Sequence, residues 1–441
     1  MKIEKLIIKN YKGFENCELN LKPDINVFVG VNGAGKTSII ELAATFLNQF
    51  VDKLCGKSQN QFSEFSLSTL DININSDETK NTVFLKAPRT TNVRSFTGDF
   101  ESLQWNLNKS LHGGKINLAK LNDYIKRYQN FLSERPDACI PIFRHYPCHR
   151  LMDEKASGKA ITKRYLIPQF KAYEKAFSKT MAFDTFIEWF VEEENKENRE
   201  KIKREDLSYS IPSLNFIREA LKKAFSSFSE TAYTRLRVET REINLKTNEK
   251  SSLVIDKNNA TYNLKQLSEG EKIIILMIAD IAYLLSVANP STNDPLSGSG
   301  IILIDEIDLH LHPAWQREII PCLRGTFPNL QFLVTTHSPQ VLSRVDSENV
   351  FLIEDFNVVS NMPKTMGKDS NSILWDVFAV KDRPESARKD FEALYQLIEK
   401  HESADEVKKL LNDLEEKYGG DDSELLKAKL QFDFQLLEDK Q

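Results

Sequence analysis

The chain has 441 residues, 41% of them hydrophobic, and 59 basic against 64 acidic side chains give a formal net charge of −5. That length and apolar content support a large buried core spread over two or three lobes. The near balance of charge excludes a surface built to attract a polyanion everywhere, so any DNA contact has to be local. No apolar run approaches the ~20 residues of a membrane span, and residues 1–21 alternate instead of forming a basic-then-apolar leader. Five scattered cysteines without a CxxC pair suit reduced thiols. The expectation is a cytoplasmic protein with no membrane association.

Residues 3–9 and 17–21 alternate apolar with polar around the turn-prone NYKGF, predicting a β-meander at the start. INVFVG (25–30) is a β-branched run entering a glycine-rich loop, and the helical pattern of 37–54 follows. Between 56 and 135, the alternation SLSTLDININ (66–75) reads as strand and 118–132 as helix. ACIPIFRHYP (138–147) reads as a buried strand. Aromatic and charged residues at helical spacing over 167–230, including FKAYEKAF (170–177), predict a helical insertion. Strands return within 236–258, 270–288 is a strongly apolar helix, and IILIDE and FLVTTH are two further buried strands. After 375 the pattern turns charged and helical. These shifts divide the chain into a first α/β segment (1–150), a helical insertion (151–235), a second α/β segment (236–375) and a helical tail (376–441).

Three motifs carry chemistry. Gly30, Asn32, Gly33, Ala34, Gly35, Lys36, Thr37 and Ser38 stand in a complete G-x-x-x-x-G-K-[ST] sequence between strand and helix, a loop whose amides face phosphates, whose lysine neutralises β/γ oxygens and whose Thr37 holds Mg²⁺. Asp305 and Glu306 end an apolar run, which puts Asp305 at the carboxyl edge of a parallel sheet as a metal ligand and Glu306 beside it as the base that polarises the attacking water. Leu267 to Lys272 (LSEGEK) precedes the apolar helix, so Ser268 and Gly270 lie at a helix N-terminus suited to an anion; read alone, the same residues are an ordinary helix cap. His310 with His312, and His145 with Cys148 and His149, lack the supporting ligands of a metal set.

The order phosphate loop, long insertion, LSEGEK, IILIDE, then Thr335, Thr336 and His337 at a strand end resembles that of the ABC/SMC ATPases. The resemblance implies an α/β fold, an ABC/SMC-type P-loop NTPase head with an N-terminal β-meander, a helical insertion and a helical C-terminal tail. It implies ATP and Mg²⁺ as cofactors. LSEGEK matches the signature sequence, with Glu269 where glycine is commoner, so Ser268 and Gly270 contact the γ-phosphate bound by an opposite copy. A homodimer, or a higher oligomer, then forms the composite sites. His337 matches the switch histidine, which donates to the γ-phosphate. Asp308 to Pro313 matches the D-loop, with His312 where many relatives carry aspartate, a departure that bears on its cross-dimer contact. The opening strands are similar to the SMC/RecF branch, in which a basic residue at the position of Lys12 approaches the nucleotide. No Q-loop glutamine is evident: the strand end reads PIFRHYPCHR (141–150), Gln169 is too far along, and by resemblance Arg150 takes the nucleotide edge.

The insertion is too compact for a long coiled coil, and the chain is longer than a transporter subunit. About a hundred residues follow His337 without D-x-D on a strand, so no built-in nuclease is expected. Nearly the whole chain is similar to the compact bacterial AAA_15/AAA_21-type ATPases, notably the Septu antiphage family, which works beside a separate HNH endonuclease. The implied function is an ATPase that dimerises around nucleotide and gates such a partner. The alternative is a RecF-like DNA-binding repair clamp, using Lys163 and Arg164, the KIKR run from Lys201 to Arg204, and Lys222 and Lys223. Two apolar stripes of the tail, Phe391, Leu394, Leu397 and Ile398, and Val407, Leu410, Leu411 and Leu414, mark a docking surface or close on the protein's own core.

Overall fold

The computed structural model describes residues 1–56, 65–88, 100–112, 118–148, 167–178, 183–228, 233–241, 250–359, 362–380, 383–400 and 403–438. Arg150, His149, Lys163 and Arg164 lie outside them. The chain divides into two units, Met1–Ile373 and Leu374–Gln441.

The first unit runs through β1 (Lys2–Tyr11), β2 (Phe14–Asn20), β3 (Ile25–Val29), α1 (Lys36–Leu54), β4 (Glu78–Pro88), β5 (Phe100–Ser110), α2 (Ala119–Glu134) and β6 (Ile142–Tyr146). It continues through α3 (Asp184–Arg204), α4 (Pro212–Phe225), β7 (Tyr233–Arg241), β8 (Lys250–Lys257), β9 (Ala260–Asn263), α5 (Glu269–Ala288), β10 (Gly300–Ile304) and α6 (Pro313–Thr326). The last elements are β11 (Leu330–Thr336), α7 (Pro339–Leu342), β12 (Val350–Glu354) and β13 (Asn357–Val358), before α8 (Ser370–Phe378).

The strands make three sheets: an antiparallel one of order β2-β1-β4-β5, a largely parallel one of order β13-β12-β3-β11-β10-β6, and the antiparallel β7-β8-β9. Periodicity explains the difference. β1 and β2 alternate buried and open positions, whereas every residue of β3, β6, β10 and β11 is buried, as strands covered on both faces require. β11 pairs with β3 on one side and β10 on the other. The phosphate loop, the acidic pair and the TTH sequence therefore leave the carboxyl ends of three adjacent strands, where open α/β sheets bind ligands.

The apolar helix predicted at 270–288 is α5, buried along almost its whole length. Its one buried acid, Asp280, accepts from the Arg144 guanidinium at 2.8 and 3.0 Å and from the Tyr146 hydroxyl at 2.7 Å. A charge this deep needs such a partner set. The network fastens α5 to the end of β6, whose Tyr146 carbonyl accepts from the Asp305 amide at 2.9 Å.

Two expectations fail in this unit. SLSTLDININ is not a strand: Thr69–Asp71 forms a 3₁₀ turn capped reciprocally by Ser68 and Asp71, and Ile72 makes a single bridge to Tyr11. Its apolar residues do not share a buried face, since Leu70 is 90% and Ile74 96% exposed, so period-two spacing had no sheet to serve. FKAYEKAF is no α-helix either. Pro168–Tyr173 is a 3₁₀ helix that packs against α5 and β6.

In the second unit, α9 (Glu385–Glu399), α10 (Ala404–Tyr418) and α11 (Ser423–Glu438) close on each other. Phe391, Leu394, Ile398, Val407, Leu411 and Leu414 form a core with Leu425, Ala428 and Phe432, and Leu397 and Leu410 pack against it. Both tail stripes are thus consumed inside the unit, which removes the ground for reading them as a docking surface.

Candidate nucleotide site

At the carboxyl edge of the parallel sheet lies a cleft of about 300 Å³ lined by Lys12, Gly13, Asn32, Gly33, Gly35, Lys36, Thr37, Ser38, Glu306, Thr335, His337 and Phe356. Gly35 enters α1 at φ +106, and a Cβ there would stand 2.7 Å from the rings of Phe14 and Phe356, so this position admits only glycine. Lys36 is buried and its ammonium donates to the Gly30 and Val31 carbonyls at 3.0 and 2.9 Å. Burial lowers its pKa, while Asp305, Glu306 and Asp308 oppose the shift. The ammonium folded onto its own loop stands where incoming phosphate oxygens supply better acceptors.

Thr37 and Asp305 meet beneath the loop, the hydroxyl lying 3.0 and 3.1 Å from the two carboxylate oxygens. Thr335 locks this arrangement from β11: its hydroxyl donates to Asp305 at 2.5 Å and accepts from the Glu306 amide at 2.7 Å. Glu306 has φ +49, a left-handed conformation uncommon for a non-glycine residue. The flanking bonds hold it there, with the Ile307 amide donating to the Thr335 carbonyl at 2.9 Å. His337 is half-buried, and burial together with nearby Lys36 lowers its pKa from 6.5, which leaves the imidazole neutral at pH 7.

Ser268 and Gly270 do not line this cleft in the single chain. Ser268 is the exposed N-cap of α5, its hydroxyl donating to Glu271 at 2.8 Å and accepting from the Glu271 amide at 3.3 Å. Burial opposes ionisation of Glu271, but hydrogen bonds from Lys257, Tyr233 and Ser268 bring its pKa down to about 2. The cap is therefore held by the β7–β8 hairpin. Gly270 is buried, and a Cβ there would stand 2.4 Å from the His310 carbonyl, so the N-terminus of α5 packs closely on the loop that holds His310. His312 accepts from the Ala314 amide as the N-cap of α6. Gly30 and Ala34 shape the loop without lining the cleft. Gln169 points elsewhere, donating to the Pro136 and Ala138 carbonyls.

Sequence reasoning missed three lining residues. Thr335 was legible as part of TTH but carried no role. Gly13 and Phe356 had no motif at all, because Phe356 reaches the cleft from the β12–β13 turn.

A phosphate loop on β3, an acidic pair on β10, a histidine ending β11 and a capped signature helix, flanked by an antiparallel meander, define an ABC/SMC-type P-loop NTPase head. The chain belongs to the AAA_15 family, the AAA ATPase domain, whose model matches residues 1–342. It is 30% identical to the retron Ec83 probable ATPase of Escherichia coli, over 100% of this chain and 88% of that protein. It is 24% identical to the Septu protein PtuA of Bacillus thuringiensis, over 93% of this chain and 96% of that one. Among solved structures, the SMC head domain from Thermotoga maritima is similar over 82% of this chain and 100% of that chain, at 14% identity and a TM-score of 0.39. Among the described residues, no helix is long and apolar enough to cross a membrane.

Proposed function

We propose that two copies of this chain close around ATP and Mg²⁺, hydrolyse the ATP, and thereby gate a separate effector, an HNH endonuclease, in cytoplasmic antiphage defence. The observation that carries the two-copy site is the separation within one chain: the cleft is lined by a phosphate loop and Glu306, while exposed Ser268, at the anion-seeking N-terminus of α5, is not among its lining residues. The Thr37 hydroxyl and the Asp305 carboxylate are hard oxygen donors already gathered at one point, which suits Mg²⁺. Bound there, the ion would neutralise phosphate charge. Lys36 then holds the β/γ oxygens, Glu306 orients and deprotonates the attacking water, and neutral His337 donates a hydrogen bond to the γ-phosphate.

Ser268→Arg tests the composite site. The variant loses one helix cap, about 1 kcal/mol, and places bulk and positive charge where a second copy's nucleotide would dock. Nucleotide binding by the single chain is expected to persist while nucleotide-dependent dimerisation, read by light scattering, and turnover are lost. Unchanged turnover would remove the two-copy site.

The effector reading is supported by similarity over nearly full length to a retron ATPase and a Septu protein. On this reading the chain has no nuclease activity of its own. The clamp alternative gains little: in the KIKR run, Lys201 pairs with Glu197 at 2.8 Å and Arg204 with Glu200 at 2.9 Å, so this charge is largely spent within α3. Mass spectrometry of the tagged protein purified from its native host, after nuclease treatment, is expected to find a stoichiometric HNH-type endonuclease. Recovery alone or only with DNA, joined to steeply salt-dependent duplex binding, would transfer the reading to the clamp.

A further inference from the structure

The residues that line the cleft fall into two chemically different sets. One is built for phosphate: the glycine loop, Lys36, Thr37, Ser38, Glu306, Thr335 and His337. The other consists of Lys12 and Gly13 in the β1–β2 turn and Phe356 in the β12–β13 turn, and no part of phosphate chemistry calls for an aromatic ring there. We propose that Phe356 and Gly13 form the nucleobase subsite, the base stacking on the Phe356 ring. This proposal rests on the reading of the cleft as a nucleotide site.

The ring is held from several sides. A Cβ on Gly13 would stand 2.4 Å from three separate ring atoms of Phe356, which means that one face of the ring lies flat against the glycine. Phe14 meets it edge-on, with centroids 5.3 Å apart and planes at 84°, a favoured aromatic geometry. Gly35 leaves room for the ring edge. Phe356 stays half-buried and lines the cleft. The turn fixes this placement as well: Asp355 and Phe356 stand at φ +45 and +60, the pair of left-handed residues that a two-residue β-hairpin turn requires. Lys12 beside them is fixed by its ion pair with Glu41 and by its amide, which donates to the Asp71 carbonyl at 2.8 Å. The result is an immobilised aromatic ring lining a phosphate cleft, a group that can take a purine by its π-face.

The test uses the full chain and isothermal titration with two Mg²⁺-loaded probes, ATP and inorganic tripolyphosphate, which has no base. Phe356→Ala is expected to weaken ATP on the order of tenfold and leave tripolyphosphate unchanged, and Phe356→Trp to restore ATP affinity. Gly13→Ala, which displaces the ring without removing it, is expected to weaken ATP alone in the same way. Wild-type ATP affinity in Phe356→Ala, or an equal loss for both probes, overturns the subsite. A wild-type protein that binds neither probe takes down the nucleotide reading itself, and the subsite with it.

Discussion

Lys36→Ala is expected to abolish measurable nucleotide binding while leaving the fold intact. The ammonium is the buried cation of the cleft, with the Gly30 and Val31 carbonyls as its acceptors in the absence of phosphate. Removing one partner of a buried, hydrogen-bonded charge pair costs about 2–5 kcal/mol, which is roughly 30-fold to several thousand-fold in affinity. The Gly30 and Val31 carbonyls lose their donor, the first of them buried, so a loss of about 1–3 kcal/mol in stability accompanies the change without unfolding the chain. Titration with a fluorescent ATP analogue gives the affinity, and a thermal melt gives the control. Wild-type affinity in a folded Lys36→Ala protein would mean that phosphate is bound elsewhere.

Glu306→Gln is expected to separate binding from chemistry. The substitution keeps the side chain's shape and leaves the backbone bond from the Glu306 amide to Thr335 untouched, so the left-handed turn at φ +49 persists. It removes the carboxylate that accepts a proton from the attacking water, an effect on the order of 10²–10⁴ in rate. ATP affinity should match the wild type, and single-turnover hydrolysis should collapse. The ATP-bound pair of copies should then accumulate, detectable as a dimer that survives gel filtration with ATP. Persistent hydrolysis in this variant would assign the base to another residue, with His337, which also lines the cleft, the next candidate.

The two variants also divide the proposed gating. If the ATP-closed state switches the effector, Glu306→Gln fixes the switch in one position and Lys36→Ala in the other. Opposite phenotypes in a phage-challenge assay follow from that alone.

The family extends beyond the reading made from motif order. That reading pointed to the Septu branch, and a retron ATPase stands alongside it at 30% identity over the full chain. Neither relative's name identifies a partner, which is left to experiment.

The sequence by itself determined the phosphate loop, the acidic pair, the capping box at Ser268 and Glu271, and the buried parallel strands. Each of these is local: a helix N-terminus binds phosphate through consecutive amides, and a strand covered on both faces must be apolar throughout. The tertiary structure alone decided the rest. Phe356 enters the cleft through a tight two-residue turn, Asp355-Phe356, without the asparagine or glycine that usually betrays left-handed φ, so no sequence signal marked it. Thr335 became a clasp on Asp305 only when β11 settled between β3 and β10. The tail stripes met one another because three amphipathic helices can bury their apolar faces together, and amphipathicity states that a face is covered without stating by what. SLSTLDININ failed for the complementary reason: alternation makes a strand only where a neighbouring strand and a core are present to accept it, and at 66–75 a capped turn met the backbone's hydrogen-bonding needs first.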